Sequence, residues 1–473
     1  MACGSLHQEA AMRDADQARF ADDFGGAVFR PGDDGYQDAL DKAIWNGDSR
    51  HRAAVIARAT SAQQVATALR FARTQGMEVT VRGGGHSFAG LAAQEGALMV
   101  DLGGMTDVVV DPATKVVRVG GGAPLAALDA ATAAHGLAVP GGTISHTGIA
   151  GLTLGGGFGW LTRLGGLTCD HLVGAEVVTA DGRIVHASDD ENPELMWALR
   201  GGGGNFGVVT TFEYQAHDLS PMANLGLFFW EPDHAREPLR FAREYLHALP
   251  SSFGAMIAGL AAPPAPFVPP EHVGKAGYAV LVANWDSAEE HANAVKPLQD
   301  LNPLFMFTAP VPHVALQTML DDAAPWGIHG YDKAHYLGDL PDEVIDAGLD
   351  AIGRRRSPMS LTPIFPLGGA FAEADDGRTA FGGDRAAIRW AYDIAAVAPN
   401  EELLAADREW ARDLYDALTP YATGGTYVNF ISEPTEERSR AVYGPKYARL
   451  QAVKAEWDPD NVFHHNVNIT PAS

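Results

Sequence analysis

EVTVRGGGHSFAG, residues Glu78 to Gly90, sets one histidine directly behind three glycines at the end of a β-type run. Glycine lets a backbone approach a ligand closely and take positive φ. Three in a row behind an apolar strand read as a ligand-facing loop. His86 at its tip offers a base, a metal ligand or an attachment point, against the plainer reading of a solvated side chain on a turn. The flanking sequence has to decide.

Upstream, SAQQVATALRFARTQG (Ser61–Gly76) has apolar residues at helical spacing between a serine N-cap and a closing glycine. With MEVTVR as the next strand, the region is a β-α-β start. Downstream, PLAALDAATAAHG reads as a second helix ending on Gly136, and EVVTADGRIVHAS as a hairpin turning at Asp181 and Gly182. Two more glycine-rich loops follow, at 141–159 and 201–207. Gly202, Gly204 and Gly207 satisfy G-x-G-x-x-G, but a helix precedes them and the period-2 strand VVTTFEYQ follows. The dinucleotide fingerprint needs the opposite order, and no Walker loop is present. Main-chain N–H groups exposed in such loops bind phosphate oxygens. A ligand reaching all three is a nucleotide with a long aromatic part, which points to FAD held without a Rossmann fold.

The rest of the composition agrees with a small-molecule enzyme. The 473 residues predict two or three domains. A net charge of −25 argues against a nucleic-acid or anionic-membrane partner. The two cysteines, Cys3 and Cys169, give no disulfide framework and no CxxC metal site, and no metal is expected. The N-terminus has no basic-then-apolar leader pattern, and no uncharged apolar run reaches the ~18 residues of a membrane helix. The expected location is the cytoplasm. Beyond Leu219 glycine thins, prolines gather in AAPPAPFVPPEH, and strand-like runs alternate with charged helices to about residue 424.

VRGGGHSFAG, GIAGLTLGGGFGWLTRLGGLTCDHL, RGGGGNFGVVT and the C-terminal TYVNF…YGPKYARLQAVKAEWDPDNVFHHNVNI together resemble the berberine-bridge-enzyme-like flavoproteins of the vanillyl-alcohol-oxidase superfamily. The resemblance runs in order from about Arg52 to Ile469. It implies an α+β fold: a PCMH-type two-part FAD-binding domain and a substrate domain built on an antiparallel sheet flanked by helices. The expected division is 1–218 for FAD (core about 48–218), 219–424 for substrate, and 425–473 returning to the FAD domain.

The resemblance also implies site residues. His86 is expected to be bonded to the 8α carbon of FAD. Around it, Arg82, Gly83, Gly84, Gly85, Ser87 and Gly90 of the first loop should hold the cofactor. So should Thr147, Gly148, Gly151, Leu152, Gly156, Phe158 and Gly159 of the second, and Gly204, Gly207, Val208 and Val209 of the third. Asn429, Asn466 and Asn468 complete that set. Many relatives carry a second, cysteinyl tether; Ile144 stands at that position here, which implies the monocovalent bacterial type. Alcohol-oxidising relatives often have tyrosine where this chain has Phe158, so Tyr427 is the expected base, or else an aromatic packed on the flavin. Glu373 is the alternative base, unless it is a solvated charge. His146, His329, Tyr331, Lys333 and Phe365 are the substrate-side candidates, with ordinary packing as the competing reading.

The expected activity is that of an oxidase. A hydride leaves a C–H of a small organic substrate (alcohol, sugar, phenolic or polycyclic metabolite), and O2 reoxidises the flavin to give H2O2. A flavin-dependent monooxygenase or dehydrogenase, and more remotely a non-catalytic flavin-binding or ligand-binding protein, remain open at this point. Either a monomer or a homodimer is compatible with the sequence.

Overall fold

The computed structural model describes residues 19–49 and 51–472, so Cys3 and the segment read for a leader lie outside the described residues. The helix expected after Ser61 spans Ala62–Gln75; Ser61 Oγ accepts the Gln64 N–H, and Gly76 ends the helix at φ 64°. That left-handed conformation suits a residue without Cβ. Val65, Leu69 and Ala72 of the helix pack onto a four-stranded sheet. Its order is Ala27–Phe29, Val55–Arg58, Leu98–Asp101, Val79–Arg82. Leu98–Asp101 runs parallel to both of its neighbours. Three strands therefore end on the same side, where the GGGH loop begins, the edge at which open α/β sheets take ligands.

An antiparallel five-stranded sheet follows, ordered Val108–Asp111, Val116–Gly120, Val208–Gln215, Leu172–Val178, Ile184–Ser188. The expected hairpin is there, with Val178 opposite Ile184 and Gly182 at φ 81° in the turn. The C-terminal helix Tyr447–Trp457 joins this sheet's core through Tyr447, Leu450 and Val453, beside Leu195 and Met196. A fully buried Lys454 ammonium fixes it, donating to Asn205 O at 2.8 Å, Phe463 O at 2.9 Å and Asp458 Oδ2 at 2.6 Å. A buried charge persists only with such partners. Here they pin the chain's end to the third glycine loop.

The largest sheet has seven antiparallel strands, in the order Phe305–Pro312, Met222–Trp230, Ala276–Asn284, Phe253–Ala261, Thr362–Pro366, Trp390–Ala398, His329–Leu337. Side chains alternate between its faces. Phe228, Trp230, Ile257, Ile364 and Ile394 pack under the helices Pro232–Ala248, Asp342–Ile352 and Glu401–Leu418. Leu227, Phe229, Met256 and Phe365 turn the other way, into a core shared with Phe158 and Tyr427. Strand Thr362–Pro366 is short, because Gly368 and Gly369, at φ 144° and 53°, turn the chain into the short helix Ala370–Glu373. Among the described residues, no helix is long and apolar enough to cross a membrane.

Candidate active site

Between the glycine loops and the seven-stranded sheet lies a cavity of about 900 Å³, at the upper end of the ~300–1,000 Å³ typical of ligand sites. Gly83, Gly84, Gly85, His86 and Ser87 line it from the first loop; Thr147, Gly148, Gly151, Leu152 and Phe158 from the second; Gly204, Gly207, Val208 and Val209 from the third. Phe365, Tyr427, Asn429 and Asn466 close it.

The glycines serve two purposes. A Cβ on Gly84 would sit 2.3 Å from Gly148 Cα, so these two permit the first and second loops to cross in contact. At Gly151 and Gly204 an added Cβ meets nothing within 4 Å. Those positions face open cavity, as a backbone cradle for a ligand does. Thr80 Oγ1 and Asn466 Oδ1, both on lining residues, are buried without a partner. Buried polar atoms are nearly always hydrogen-bonded, and a ligand with polar groups along its length would satisfy these. The residues present therefore fit an extended dinucleotide.

Ten of the expected residues do not line the cavity. Arg82 instead pairs with Asp101 at 3.4 Å behind the first loop, a carboxylate it shares with Arg58. Gly90, Gly156 and Gly159 pack against Ser49, Phe381 and Gly141, where a Cβ would clash. Asn468 Oδ1 is buried and unpartnered but stands back from the cavity. Glu373 is exposed at the end of its short helix, which removes it as a base. His329 lies 3.5 Å from Asp48, and Tyr331 belongs to the helix-side core, where it accepts a hydrogen bond from Arg412. The Lys333 ammonium lies over the Tyr415 ring and 3.5 Å from Glu433. The tenth, His146, meets His86 from outside the cavity wall: His86 Nε2 and His146 Nδ1 are 2.7 Å apart.

His86 is held face-on by Trp45, with ring centroids 4.8 Å apart at 17°. Burial first, then the neighbouring His146 and Arg82, hold its pKa down at about 3. The ring is neutral at physiological pH, the form in which imidazole is a nucleophile. Ile144 lines the cavity at the position of the second tether, and Cys169 is a free, buried thiol among the apolar residues around Phe158.

At the other end, the Tyr427 hydroxyl accepts the Gly157 N–H at 2.8 Å and Asn429 Nδ2–H at 2.9 Å. Its ring packs 4.5 Å from Phe158. Burial raises the phenol's pKa, and the two donors offset only part of that rise. Tyr427 also lines the cavity.

Two carboxyls were missed by the sequence reading. Asp393 lines the cavity from strand Trp390–Ala398, only 5% exposed, with Oδ1 unpartnered. Asp332, 1% exposed, shares its sheet face and receives the Ser432 Oγ–H. Burial first, and then the charge of Asp332, pushes Asp393 well above the usual carboxyl range. Burial raises Asp332 as well. The available signal was a lone Asp in each of two apolar strands, AYDIAAVA and GYDKAHYL. Strong burial of an acid in a cleft marks a functional candidate.

A glycine cradle beside a nucleophilic histidine, under an antiparallel roof, defines a flavin-binding scaffold. Comparison with known proteins agrees. Residues 53–188 match the family described as FAD binding domain, and residues 426–470 the one described as berberine and berberine like. An FAD-linked oxidoreductase of Dictyostelium discoideum is 30% identical over 96% of both chains. (R)-6-hydroxynicotine oxidase of Paenarthrobacter nicotinovorans is 32% identical, over 94% of this chain and 97% of that one. The crystal structure of 6-hydroxy-D-nicotine oxidase from Arthrobacter nicotinovorans superposes with a TM-score of 0.83 at 28% identity, covering 94% of this chain and 98% of that one. The chain belongs to the berberine-bridge-enzyme-like FAD-linked oxidoreductases and is an enzyme whose cofactor is FAD.

Proposed function

We propose that this enzyme is an oxidase that binds FAD covalently through His86 alone and oxidises a C–H bond of a small, largely apolar organic substrate bearing a hydroxyl or amine. The observation that carries the reading is the Tyr427 hydroxyl, held by Gly157 N–H and Asn429 on a residue that lines the cavity. We take 1–218 with 425–473 as the unit that holds FAD, and 219–424 as the substrate unit. The core joining Tyr447 and Leu450 to Leu195 and Phe212 supports that division.

When bound, FAD supplies a two-electron acceptor for the substrate's hydride and passes the electrons to O2, giving H2O2. His86 supplies the attachment. Asn429 and Gly157 hold the Tyr427 oxygen so that it receives the proton of the substrate's O–H or N–H. Phe158, Phe365, Leu227 and Met256 exclude water from that proton transfer. Asp393 presents its unpartnered oxygen to the substrate from the roof. This apolar lining favours an aromatic or alicyclic molecule over an oligosaccharide, whose many hydroxyls would be left unpaired. The full-length relative named for hydroxynicotine is consistent with that choice.

The test is a panel of hydroxylated and amine-bearing aromatic, alicyclic and sugar compounds, scored for flavin bleaching without air and H2O2 with air. Stoichiometric H2O2 from an aromatic or alicyclic member supports the reading. Bleaching without H2O2 would make it a dehydrogenase or monooxygenase. No bleaching by any aromatic or alicyclic member would defeat the substrate class.

A further inference from the structure

We propose that Glu78, His464 and His465 bind a single zinc-type divalent cation, which clips the end of the chain to the strand leading into the first glycine loop. None of the three takes part in the chemistry proposed above.

Three donor atoms converge at this point. His464 Nε2 lies 3.0 Å and His465 Nε2 3.2 Å from the same carboxylate oxygen, Glu78 Oε2. All three atoms lie within 4.8 Å of one another. The two rings stand side by side, with centroids 4.3 Å apart at 39°. Sequence spacing gives no warning of this, since 387 residues separate His465 from Glu78.

The tautomer of His464 shows why a cation belongs here. Its Nδ1 lies 2.8 Å from Asn461 O. A carbonyl only accepts, so Nδ1 carries the hydrogen, and Nε2 of the neutral ring is a bare lone pair. That lone pair meets Glu78 Oε2, another acceptor, at 3.0 Å. Two acceptors so close repel unless a cation lies between them. A proton serves the His464–Glu78 pair alone, whereas a metal ion serves all three donors. An Nδ1–H held by a backbone carbonyl, with Nε2 turned to the ion, is also how a ligating histidine is oriented.

Two imidazoles and a carboxylate are a zinc donor set, and water completes the fourth position. Ligand atoms ~2.1 Å from a tetrahedral zinc stand about 3.4 Å apart, close to the spacings found. The fold holds both sides of the site. Asp458 accepts Val462 N–H at 2.8 Å and Phe463 N–H at 2.9 Å, closing the turn that carries the histidines. Phe463 shares a core with Val79, and Glu78 O accepts Leu98 N–H at 2.9 Å. The side chains of Glu78, His464 and His465 are 58%, 33% and 23% exposed, which gives an ion access from solvent.

The experiment uses the full, untagged chain with its flavin bound, treated with EDTA and then freed of it. The buffer is at about pH 7.5, above the ordinary histidine range. Zn2+ and, separately, Mg2+ are titrated calorimetrically into wild type, Glu78→Gln, His464→Ala and His217→Ala, and Tm is read with and without Zn2+. His217 belongs to a different histidine pair, 3.0 Å from His171, and controls for adventitious imidazole sites. Wild type and His217→Ala should bind one Zn2+ per chain with equal affinity and gain Tm from it, as a ligand of the native state confers. Glu78→Gln and His464→Ala should fold, bind Zn2+ at least about 10²-fold more weakly, the upper end of what losing a mere outer-shell partner costs, and lose the gain in Tm. Mg2+, which prefers oxygen ligands, should not replace Zn2+. A wild type without a saturable Zn2+ site would leave only a proton shared between His464 and Glu78 and overturn the metal site. Wild-type Zn2+ affinity in either Glu78→Gln or His464→Ala, or Mg2+ binding as tight as Zn2+, would overturn it equally.

Discussion

The Gly157 N–H points at the Tyr427 hydroxyl from 2.8 Å, across a separation of 270 residues. Asn429 donates to the same oxygen at 2.9 Å, and Phe158 beside it has no hydroxyl to share the task of a base. Tyr427→Phe should therefore slow flavin reduction by about 10²–10⁴-fold, as loss of a general base does, with bound FAD unchanged. Burial raises the phenol's pKa, so the wild-type rate should climb on the alkaline side. That limb should vanish in the variant. Stopped-flow reduction across pH checks both, and a near-wild-type rate would reduce Tyr427 to packing.

Asp393→Asn keeps the shape of the roof and removes its acidic group. Burial first, and then Asp332, push the Asp393 pKa well above the ordinary carboxyl range, so below that raised pKa the wild type presents a neutral acid. The amide should bind a hydroxylated substrate with little change there. At high pH, where the wild type ionises, the two should diverge in KM. Steady-state kinetics from pH 6 to about 10, the range of a strongly raised carboxyl, would reveal the divergence; parallel profiles would place Asp393 outside the substrate's reach.

Asp129 offers a stability test away from the chemistry. It is buried in helix Leu125–Ala133, and Gln317 Nε2–H donates to it at 3.1 Å. Burial raises its pKa from 3.8 to about 7. The folded state thus binds the proton more tightly than the unfolded one, and stability falls as pH rises from about 4 through about 7. Asp129→Asn removes that penalty. It should raise stability at pH 8 by about 2–4 kcal/mol, at 1.36 kcal/mol per pKa unit, and leave it nearly unchanged at pH 4. Urea melts at the two pH values measure this.

Gly84 and Gly151 separate packing from ligand space. Gly84→Ala forces a Cβ onto Gly148 Cα and should destabilise the protein by about 1–3 kcal/mol, the scale of overpacking. Gly151→Ala meets only open cavity and lies in the helix Ile149–Leu154, where alanine is the better residue. Its Tm without FAD should hold or rise while flavin content drops. Equal Tm losses in both variants would contradict the assignment.

The sequence by itself determined what short-range chemistry controls. Ser61 and Gly76 bound the helix Ala62–Gln75 because a cap and a left-handed glycine act within one turn. The ordered motifs pointed to FAD and to His86 because glycine loops and a nucleophile are legible as residue types. Tertiary structure decided the partners. Strand GYDKAHYL shows why: Tyr331 and Lys333 were the expected cavity residues, yet they face the helix side, and Asp332 between them takes the cavity side. Both faces of that strand are buried, so alternation gives the parity and no composition signal says which parity looks at the ligand. Gly84 against Gly148, Gly157 against Tyr427, and His86 against His146 are likewise meetings of distant segments. Their geometry exists only once the sheets have brought the loops together.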